Sequence, residues 1–267
     1  MSGLRAVVRG VSVWGPGLEG WAASRAVLAG DAAYVARDSP PPPPAILAGT
    51  ERRRAGPVVR LALAVAQEAA LGSGLAPGSL RSVFGSSNGD GIVVGGILDA
   101  MARGEPGERV VSPTQFHNSV HNAAAGYWSI AHGSRQPATC LGAHDWTWAA
   151  SLLKAMVEVA ASGEAVLLCC YDHPLPPPLD VLRPTVAAFG AGLVLAPDGD
   201  GPVLRVSLER GAAVEAGLPP GLEALAAGNT AARALPLLAG LARGGGSRHG
   251  TAYLEGHLAV SLEAGSA

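Results

Sequence analysis

The chain has 267 residues, of which 48% are hydrophobic and only 15% are charged. This length and composition exclude a disordered chain, because a globule of this size can bury most of its apolar surface. The formal net charge is −2, and the one basic cluster lies at residues 52–54. Proteins that bind nucleic acid usually present a basic face, so the charge argues against that class.

The cysteines and the hydropathy pattern indicate the compartment. Cys140, Cys169 and Cys170 are too few for a disulfide framework and fit a reducing environment. No segment reaches the roughly 18 unbroken apolar residues of a membrane span, and the N-terminus has no apolar stretch of signal length. The sequence therefore predicts a cytoplasmic protein without a membrane partner.

The predicted elements alternate between strands and helices along the chain. Strands are predicted at residues 4–13, 81–85, 137–140, 165–172, 188–196 and 202–210. Helices are predicted at residues 18–28, 57–72, 91–104, 118–132 and 146–162. Five prolines at 40–44 predict an extended surface loop, and the end of the chain, 251–264, is strand-like. This alternation predicts a layered α/β fold with helices on the faces of a sheet.

Three segments in chain order resemble the β-ketoacyl synthases, which have the thiolase fold. They read SSNGDGIVVGG after a strand, then SPTQFHNSVHNAAAGYWSIAHGS, then PATCLGAHDWTWAASLLKAMVEVAASGEAVLLCCYD. More narrowly, SPTQFHNSVHNAAAG and the strand exit LLCCYDHPLPPPL are similar to the short ketosynthase-like proteins called chain length factors in aryl polyene type clusters. The similarity spans about 52–197, whereas 198–267 match nothing firmly. The resemblance implies one domain over 1–267, with a thiolase-like α/β/α N-terminal half and a truncated C-terminal part.

The resemblance also locates the position of the nucleophile. In a ketosynthase a cysteine begins the helix that corresponds to 146–162, where the helix dipole and free N–H groups stabilise its thiolate. Counting back from Gly163 puts this position at Trp146, within one residue. Neither Asp145, Trp146 nor Thr147 can form an acyl thioester. We therefore expect no catalytic residue here.

Cys140 is the fallback nucleophile, with His144 and Asp145 as its conceivable partners. Cys140 lies six residues before Trp146, at the end of a predicted strand. Groups this close in sequence rarely satisfy the geometry of a triad, and a buried apolar cysteine is the favoured interpretation. The alternative function is a stand-alone acyl-thioester enzyme, a thioesterase or an acyltransferase, that uses Cys140.

Two pairs of histidines have suggestive spacings. His249 and His257 resemble the His-Gly-Thr and Gly-His signatures of the missing second half, but they are only eight residues apart, which favours coincidence. His117 and His121 have a spacing found in metal sites, yet no glutamate follows His117 and no third ligand is evident. Hydrogen bonding at a helix entry is the favoured role, so neither a metal nor a cofactor is expected.

The glycine-rich segment at 86–96 follows a strand and opens a helix, as phosphate-binding loops do. It fits neither the dinucleotide nor the P-loop spacing, and it lacks the lysine. The resemblance implies instead a helix near a dimer interface, where glycine permits close approach.

The expected function follows from the resemblance. It implies that the loop with Phe116 crosses the dimer interface, and that Phe116, His117, His121 and Trp146 belong to that interface or to the partner's acyl tunnel. The chain is then a non-catalytic subunit that pairs with a full-length ketosynthase in fatty acid, polyene or polyketide biosynthesis. A second copy of the chain and an acyl carrier protein are the other candidate partners.

Overall fold

The computed structural model describes residues 3–103, 110–211 and 217–264. Its strands are β1 (Leu4–Gly15), β2 (Leu18–Glu19), β3 (Arg81–Gly85), β4 (Ala138–Leu141), β5 (Val166–Asp172), β6 (Phe189–Ala196), β7 (Val203–Arg210), β8 (Ser247–Tyr253) and β9 (Gly256–Glu263). Its α-helices are α1 (Trp21–Ala29), α2 (Gly49–Arg54), α3 (Pro57–Gly72), α4 (Gly91–Arg103), α5 (Pro113–Asn118), α6 (Ala123–His132), α7 (Thr147–Ser162), α8 (Leu179–Leu182), α9 (Glu223–Gly228) and α10 (Leu235–Ala242).

The nine strands form one mixed sheet in the order β4-β3-β5-β6-β1-β7-β9-β8, with β2 beside β1. β3 pairs in parallel with β4 and β5, and the remaining pairs are antiparallel. The turn at 198–201 connects β6 to β7 along the chain. In the sheet these two strands are not neighbours, because β1 lies between them and pairs with both. The first strand of the chain is therefore central in the sheet.

Strand β5 shows how the sheet separates two cores. Val166, Leu168 and Cys170 belong to the core shared with α7 and α10. The alternate residues Leu167, Cys169 and Tyr171 belong to the core shared with α3 and α6. Every residue of β5 is buried, as expected for a strand covered on both faces. The α/β/α layering predicted from the sequence is thereby confirmed.

Helix α3 packs directly on the centre of the sheet. It begins with Pro57 at its first position, where a missing N–H is harmless, and its Ala, Val and Leu residues face the strands. Gly10 of β1 allows this close approach, since a Cβ there would lie 2.0 Å from the carbonyl oxygen of Ala69. Gly192 of β6 also lies close to α3, since a Cβ there would lie 3.1 Å from Val65 Cγ1 and 3.2 Å from Ala69 Cβ.

The prediction of one helix over 118–132 is wrong at its start, because residues 119–122 are not helical. Two helices, α5 and α6, occupy this region, and α6 begins only at Ala123. The buried Asn118 ends α5, because its side chain donates to the Arg54 carbonyl (2.9 Å) and accepts a hydrogen bond from the Tyr127 hydroxyl (3.1 Å). These contacts hold Asn118 against α2 and α6 and prevent a continuous helix.

The C-terminal third completes the sheet. β7 extends it beyond β1, and β9 and β8 follow as a hairpin whose turn contains Leu254 at φ 53°. The strand-like segment predicted at 251–264 is not one strand: it contains the end of β8, the turn and β9 of a hairpin that starts at Ser247. Within the described ranges, no helix is long and apolar enough to cross a membrane.

Candidate functional site

The position expected for a nucleophile lies at the N-terminus of α7, as the sequence predicted. Trp146 ends a short 3-10 turn (His144–Trp146) and is the residue immediately before the helix. Thr147 closes this turn, since its hydroxyl donates to the His144 carbonyl (2.7 Å) and accepts from the Ala143 amide (3.0 Å). The indole is 37% exposed, so Trp146 faces outward at the helix start. An indole offers no nucleophilic atom for acyl transfer.

Two arginines hold this turn, and the sequence analysis missed both. Arg183 donates from Nε to Asn88 Oδ1 (3.1 Å) and from one NH2 group to Asp145 Oδ1 (3.2 Å). Its other terminal nitrogen lies 2.8 Å from His144 Nε2. Arg233 donates to the Asp145 carbonyl. Both arginines are distant in sequence from the turn, and no local pattern marks them.

Cys140 does not face the start of α7. On β4 the neighbours of Cys140 point towards α7: Thr139 donates to Glu158 Oε1 on that helix (3.0 Å), and Leu141 packs into the α7 core. Cys140 packs on the opposite face, against the core of α3 and α6. Burial raises the pKa of its thiol above the ordinary value, which disfavours the thiolate. The structure thus separates Cys140 from His144, whose ring contacts Arg183 instead.

A buried carboxylate joins the elements around the turn. Asp172, at the end of β5, is fully buried. It accepts hydrogen bonds from the Ser86 hydroxyl (2.9 Å), from the amide and hydroxyl of Ser87 (both 2.8 Å), from the Asn88 amide (3.0 Å) and from the Thr230 hydroxyl. The backbone amides of the glycine-rich segment therefore bind a carboxylate of the chain itself, which explains why this segment is not a phosphate loop.

The two C-terminal histidines lie on opposite faces of the β8–β9 hairpin. His249 pairs with Val260 and is buried on the side of the α7 core. His257 pairs with Ala252, one register position away from the core-facing Leu258, and its Nε2 lies 3.7 Å from Glu209 Oε2. Side chains on opposite faces of a sheet cannot act on the same carbonyl group. This geometry agrees with the interpretation of their spacing as coincidence.

The residues expected at the interface lie on α5 and after it. Phe116 is 69% exposed, and the ring of its neighbour His117 stands edge-on to Tyr127 of α6, with centroids 6.0 Å apart. His121 follows α5 and bonds through Nε2 to the Ser86 carbonyl (3.0 Å) rather than to a helix end. Among the residues that the structure describes, no group of three or more His, Cys, Asp or Glu side chains is placed to hold a metal ion.

Helix α4 is apolar, but only one of its residues is fully buried. Its sequence is GIVVGGILDAMAR, yet Gly91 is its one buried residue. The helix rests on the segment after β5, where a Cβ at Gly95 would lie 2.7 Å from Pro176 Cγ. Together with α5 and α8 it exposes a group of large apolar side chains, which we call the apolar platform: Ile92, Leu98, Met101, Phe116, Val181 and Leu182.

Strand β4 forms one edge of the sheet. It pairs with β3 on one side and with no described strand on the other. Its residues are exposed or half-buried, in contrast with those of the fully buried β5. An unpaired edge presents backbone N–H and C=O groups to which another chain can add a strand.

Comparison with known proteins begins with the sequence. The model of the family described as "Beta-ketoacyl synthase, N-terminal domain" matches residues 21–238. This range extends on both sides of the 52–197 that the motifs indicated. A search of curated proteins found no significant match.

Solved structures share the fold at low sequence identity. A chain of the ketosynthase ApeO in complex with its chain length factor ApeC, from Xenorhabdus doucetiae, matches at 19% identity and a TM-score of 0.72, with 97% of this chain and 99% of that chain covered. The ishigamide ketosynthase/chain length factor matches at 16% identity and a TM-score of 0.68, with the same coverage. AntDE:AntF, a type II PKS acyl-carrier protein in complex with its ketosynthase, matches at 16% identity and a TM-score of 0.60. The match covers 74% of this chain and 63% of that chain. These likenesses confirm the ketosynthase-like, thiolase-type fold.

Proposed function

Because the chain belongs to the family of β-ketoacyl synthase N-terminal domains, we propose that it is a non-catalytic, chain length factor-like subunit. It pairs with a full-length ketosynthase in fatty acid, polyene or polyketide biosynthesis. Two similar structures are those of a ketosynthase together with a chain length factor, and 99% of each matched chain is covered.

The apolar platform is the observation that carries this proposal. Exposed large apolar side chains grouped on neighbouring helices of a soluble protein mark surfaces that another molecule covers. A helix such as α4, apolar in composition and buried at a single residue, is stable in water only when a further surface packs on it. The free edge of β4 supplies backbone groups for the same purpose. Helix and strand contacts together fit a stable interface between two thiolase-type chains.

The start of α7 supports a subunit without acyl-transfer chemistry of its own. Trp146, which the resemblance aligns with the ketosynthase cysteine, precedes this helix, and Cys140 lies on the other face of the sheet with its pKa raised. The partner's own cysteine then carries the growing chain. This subunit contributes shape to the partner's acyl tunnel, and Phe116, His117 and His121 are the residues proposed to line it.

Co-expression with a cognate full-length ketosynthase tests the pairing. We expect the two chains to co-purify, and we expect Leu98→Asp to abolish co-purification, because it places a charge in the middle of the platform. Leu71→Asp is the matched control, since Leu71 is at least as exposed as Leu98 but lies at the far end of α3 from Asn118 and α5. Pairing that survives Leu98→Asp, or that both variants destroy, contradicts the proposed interface.

Phe116 tests the tunnel. Replacing it by Ala removes a large exposed ring, and the longer tunnel should let the complex release products extended by one or more additional condensations. Mass spectrometry of the released products measures this, with Val110→Ala as an exposed apolar control outside the helix. Unchanged product lengths in a complex that still assembles would exclude Phe116 as the limiting wall.

No observation favours the stand-alone thioester enzyme. Intact-protein mass spectrometry after exposure to acyl thioesters decides the point, because an adduct on Cys140 would revive that alternative and its absence agrees with the subunit. A second copy of the chain could also cover the platform, and the mass of the particle in solution separates a homodimer from the proposed heterodimer. An acyl carrier protein as a further partner, one domain over 1–267 and a cytoplasmic location complete the proposal.

A further inference from the structure

A polar cavity lies on the side of the His144–Trp146 turn that carries the two arginines. Its volume is about 230 Å³. It is lined by His144, Asp145, Leu182, Arg183, Pro184, Thr185, Ala227, Gly228, Asn229, Thr230 and Arg233. The cavity is smaller than those that hold drug-sized ligands, so its size suits a small polar group.

The arginines are held rigidly and keep donors to spare. The Arg183 side chain is 19% exposed and the Arg233 side chain 29% exposed, so both are largely withdrawn from water. A guanidinium has five N–H donors. Arg183 donates three hydrogen bonds, to Asn88, His144 and Asp145. Arg233 donates one, to the Asp145 carbonyl. Both side chains line the same cavity.

Two guanidinium groups and one carboxylate, that of Asp145, line the cavity. A second carboxylate, Asp172, lies behind the lining residue Thr230 and accepts the hydrogen bond of its hydroxyl. The Asp145 carboxylate is 4.0 Å from the nearer Arg233 nitrogen, too long for a hydrogen bond, and its side chain is half exposed. Two largely buried guanidinium groups with spare N–H donors favour an anion that can accept from both.

We propose that this cavity is a binding site for a phosphate-type oxyanion, either free phosphate or the phosphate of an ester. Arg183 and Arg233 reach the cavity from different elements, and a tetrahedral anion offers oxygen atoms to both at once. Asp145 turns towards water when the anion enters, because half of its side chain is already exposed. Leu182 belongs to both the cavity lining and the apolar platform, but Arg183 and Arg233 lie outside the platform, so phosphate binding can be measured whether or not a ketosynthase pairs with this chain.

Calorimetric titration of the full chain at low salt tests the proposal with three probes: inorganic phosphate, methyl phosphate and dimethyl phosphate. We expect saturable binding that weakens roughly tenfold or more in Arg183→Gln and in Arg233→Gln, as the loss of a charge-assisted contact implies. Arg205→Gln is the matched control, because Arg205 is an arginine of β7 paired with Glu263 outside the cavity. Binding of inorganic phosphate alone identifies free phosphate as the ligand, and binding of the methyl esters as well identifies a phosphate ester.

Asp145→Asn keeps both arginines and provides a second arm if their removal unfolds the turn. The neutral amide no longer competes for the guanidinium groups, so phosphate should bind more tightly than in the unaltered chain. Circular dichroism establishes that each variant is folded. The proposal is overturned when no probe binds at ~10 mM, when Arg205→Gln weakens binding as much as the cavity variants, or when Asp145→Asn leaves the affinity unchanged.

Discussion

His249 shows what one buried polar side chain costs. It is 2% exposed, and neither ring nitrogen has a hydrogen-bond partner among the described residues. Burial lowers its pKa from the ordinary 6.5 to about 4, because the charged imidazolium would lose its water. The imidazole is therefore neutral in the folded chain at pH values where it is protonated in the unfolded chain.

The free energy of unfolding should depend on pH through His249. Above pH 6.5 both states carry a neutral ring and stability is complete. As the pH falls towards 4, the ring binds a proton in the unfolded state but stays largely neutral in the folded state. The free energy of unfolding therefore decreases by about 3 kcal/mol. Urea unfolding of the unaltered chain and of His249→Leu at pH 7 and pH 4.5 measures this loss. Equal pH dependence in the two proteins would contradict it.

Single residues could be predicted from the sequence only where a local sequence pattern marks their position. Trp146 could be placed by counting back from Gly163, because the glycine that ends α7 (φ 69°) is a recognisable signal. Arg183 and Arg233 could not be found, since their role arises only when the sheet brings α8 and the segment before α10 to the turn. The face on which Cys140 lies follows from the pairing of β4, which the sequence does not specify.

Helix α4 depends on one of two adjacent glycines. A Cβ at Gly95 would meet the rigid ring of Pro176 at 2.7 Å, whereas a Cβ at Gly96 would meet the flexible end of Gln115 at 3.3 Å. Gly95→Ala should therefore cost roughly 1–3 kcal/mol of local stability, by overpacking. Gly96→Ala should instead stabilise the helix by up to about 1 kcal/mol, through helix propensity.

Hydrogen exchange of the α4 amides measures this difference, because the helix can open without global unfolding. Exchange should be faster in Gly95→Ala and slower in Gly96→Ala than in the unaltered chain. Similar protection in both variants would mean that α4 does not rest on Pro176.

Elements with a clear periodicity were predicted well. β3 was predicted at 81–85 and occupies Arg81–Gly85, and the start of α3 at Pro57 was likewise predicted. The break between α5 and α6 was missed, because it depends on the contacts of Asn118 with Arg54 and Tyr127. Such contacts join residues whose proximity is a property of the folded chain.

Over the whole molecule, residues after Pro197 are an integral part of the fold. β7 pairs with residues Leu4 to Val7 of β1, and α10 buries its leucines in the core of α7. Thr230 and Asn229 also bind the end of β5. The sequence left open whether this part completes the sheet, because its strands lack family motifs.

A chain that ends at Pro197 should fail to fold. It would lose the partner of the first half of β1 and one wall of a core. We expect insoluble protein, or soluble protein without a cooperative thermal transition, as followed by circular dichroism. A truncated chain that melts cooperatively would show that 198–267 form an independent attachment.

The central position of β1 has a consequence for biosynthesis. β1 leaves the ribosome long before its main partners, because apart from the two-residue β2 it pairs with β6, which begins at Phe189, and with β7, which follows β6. At ordinary rates of translation this strand waits on the order of ten to thirty seconds for a neighbour. During that interval an apolar, unpaired strand is exposed to other nascent chains. Yield in a heterologous host should accordingly depend on chaperones that protect early segments, and on slower, cooler expression.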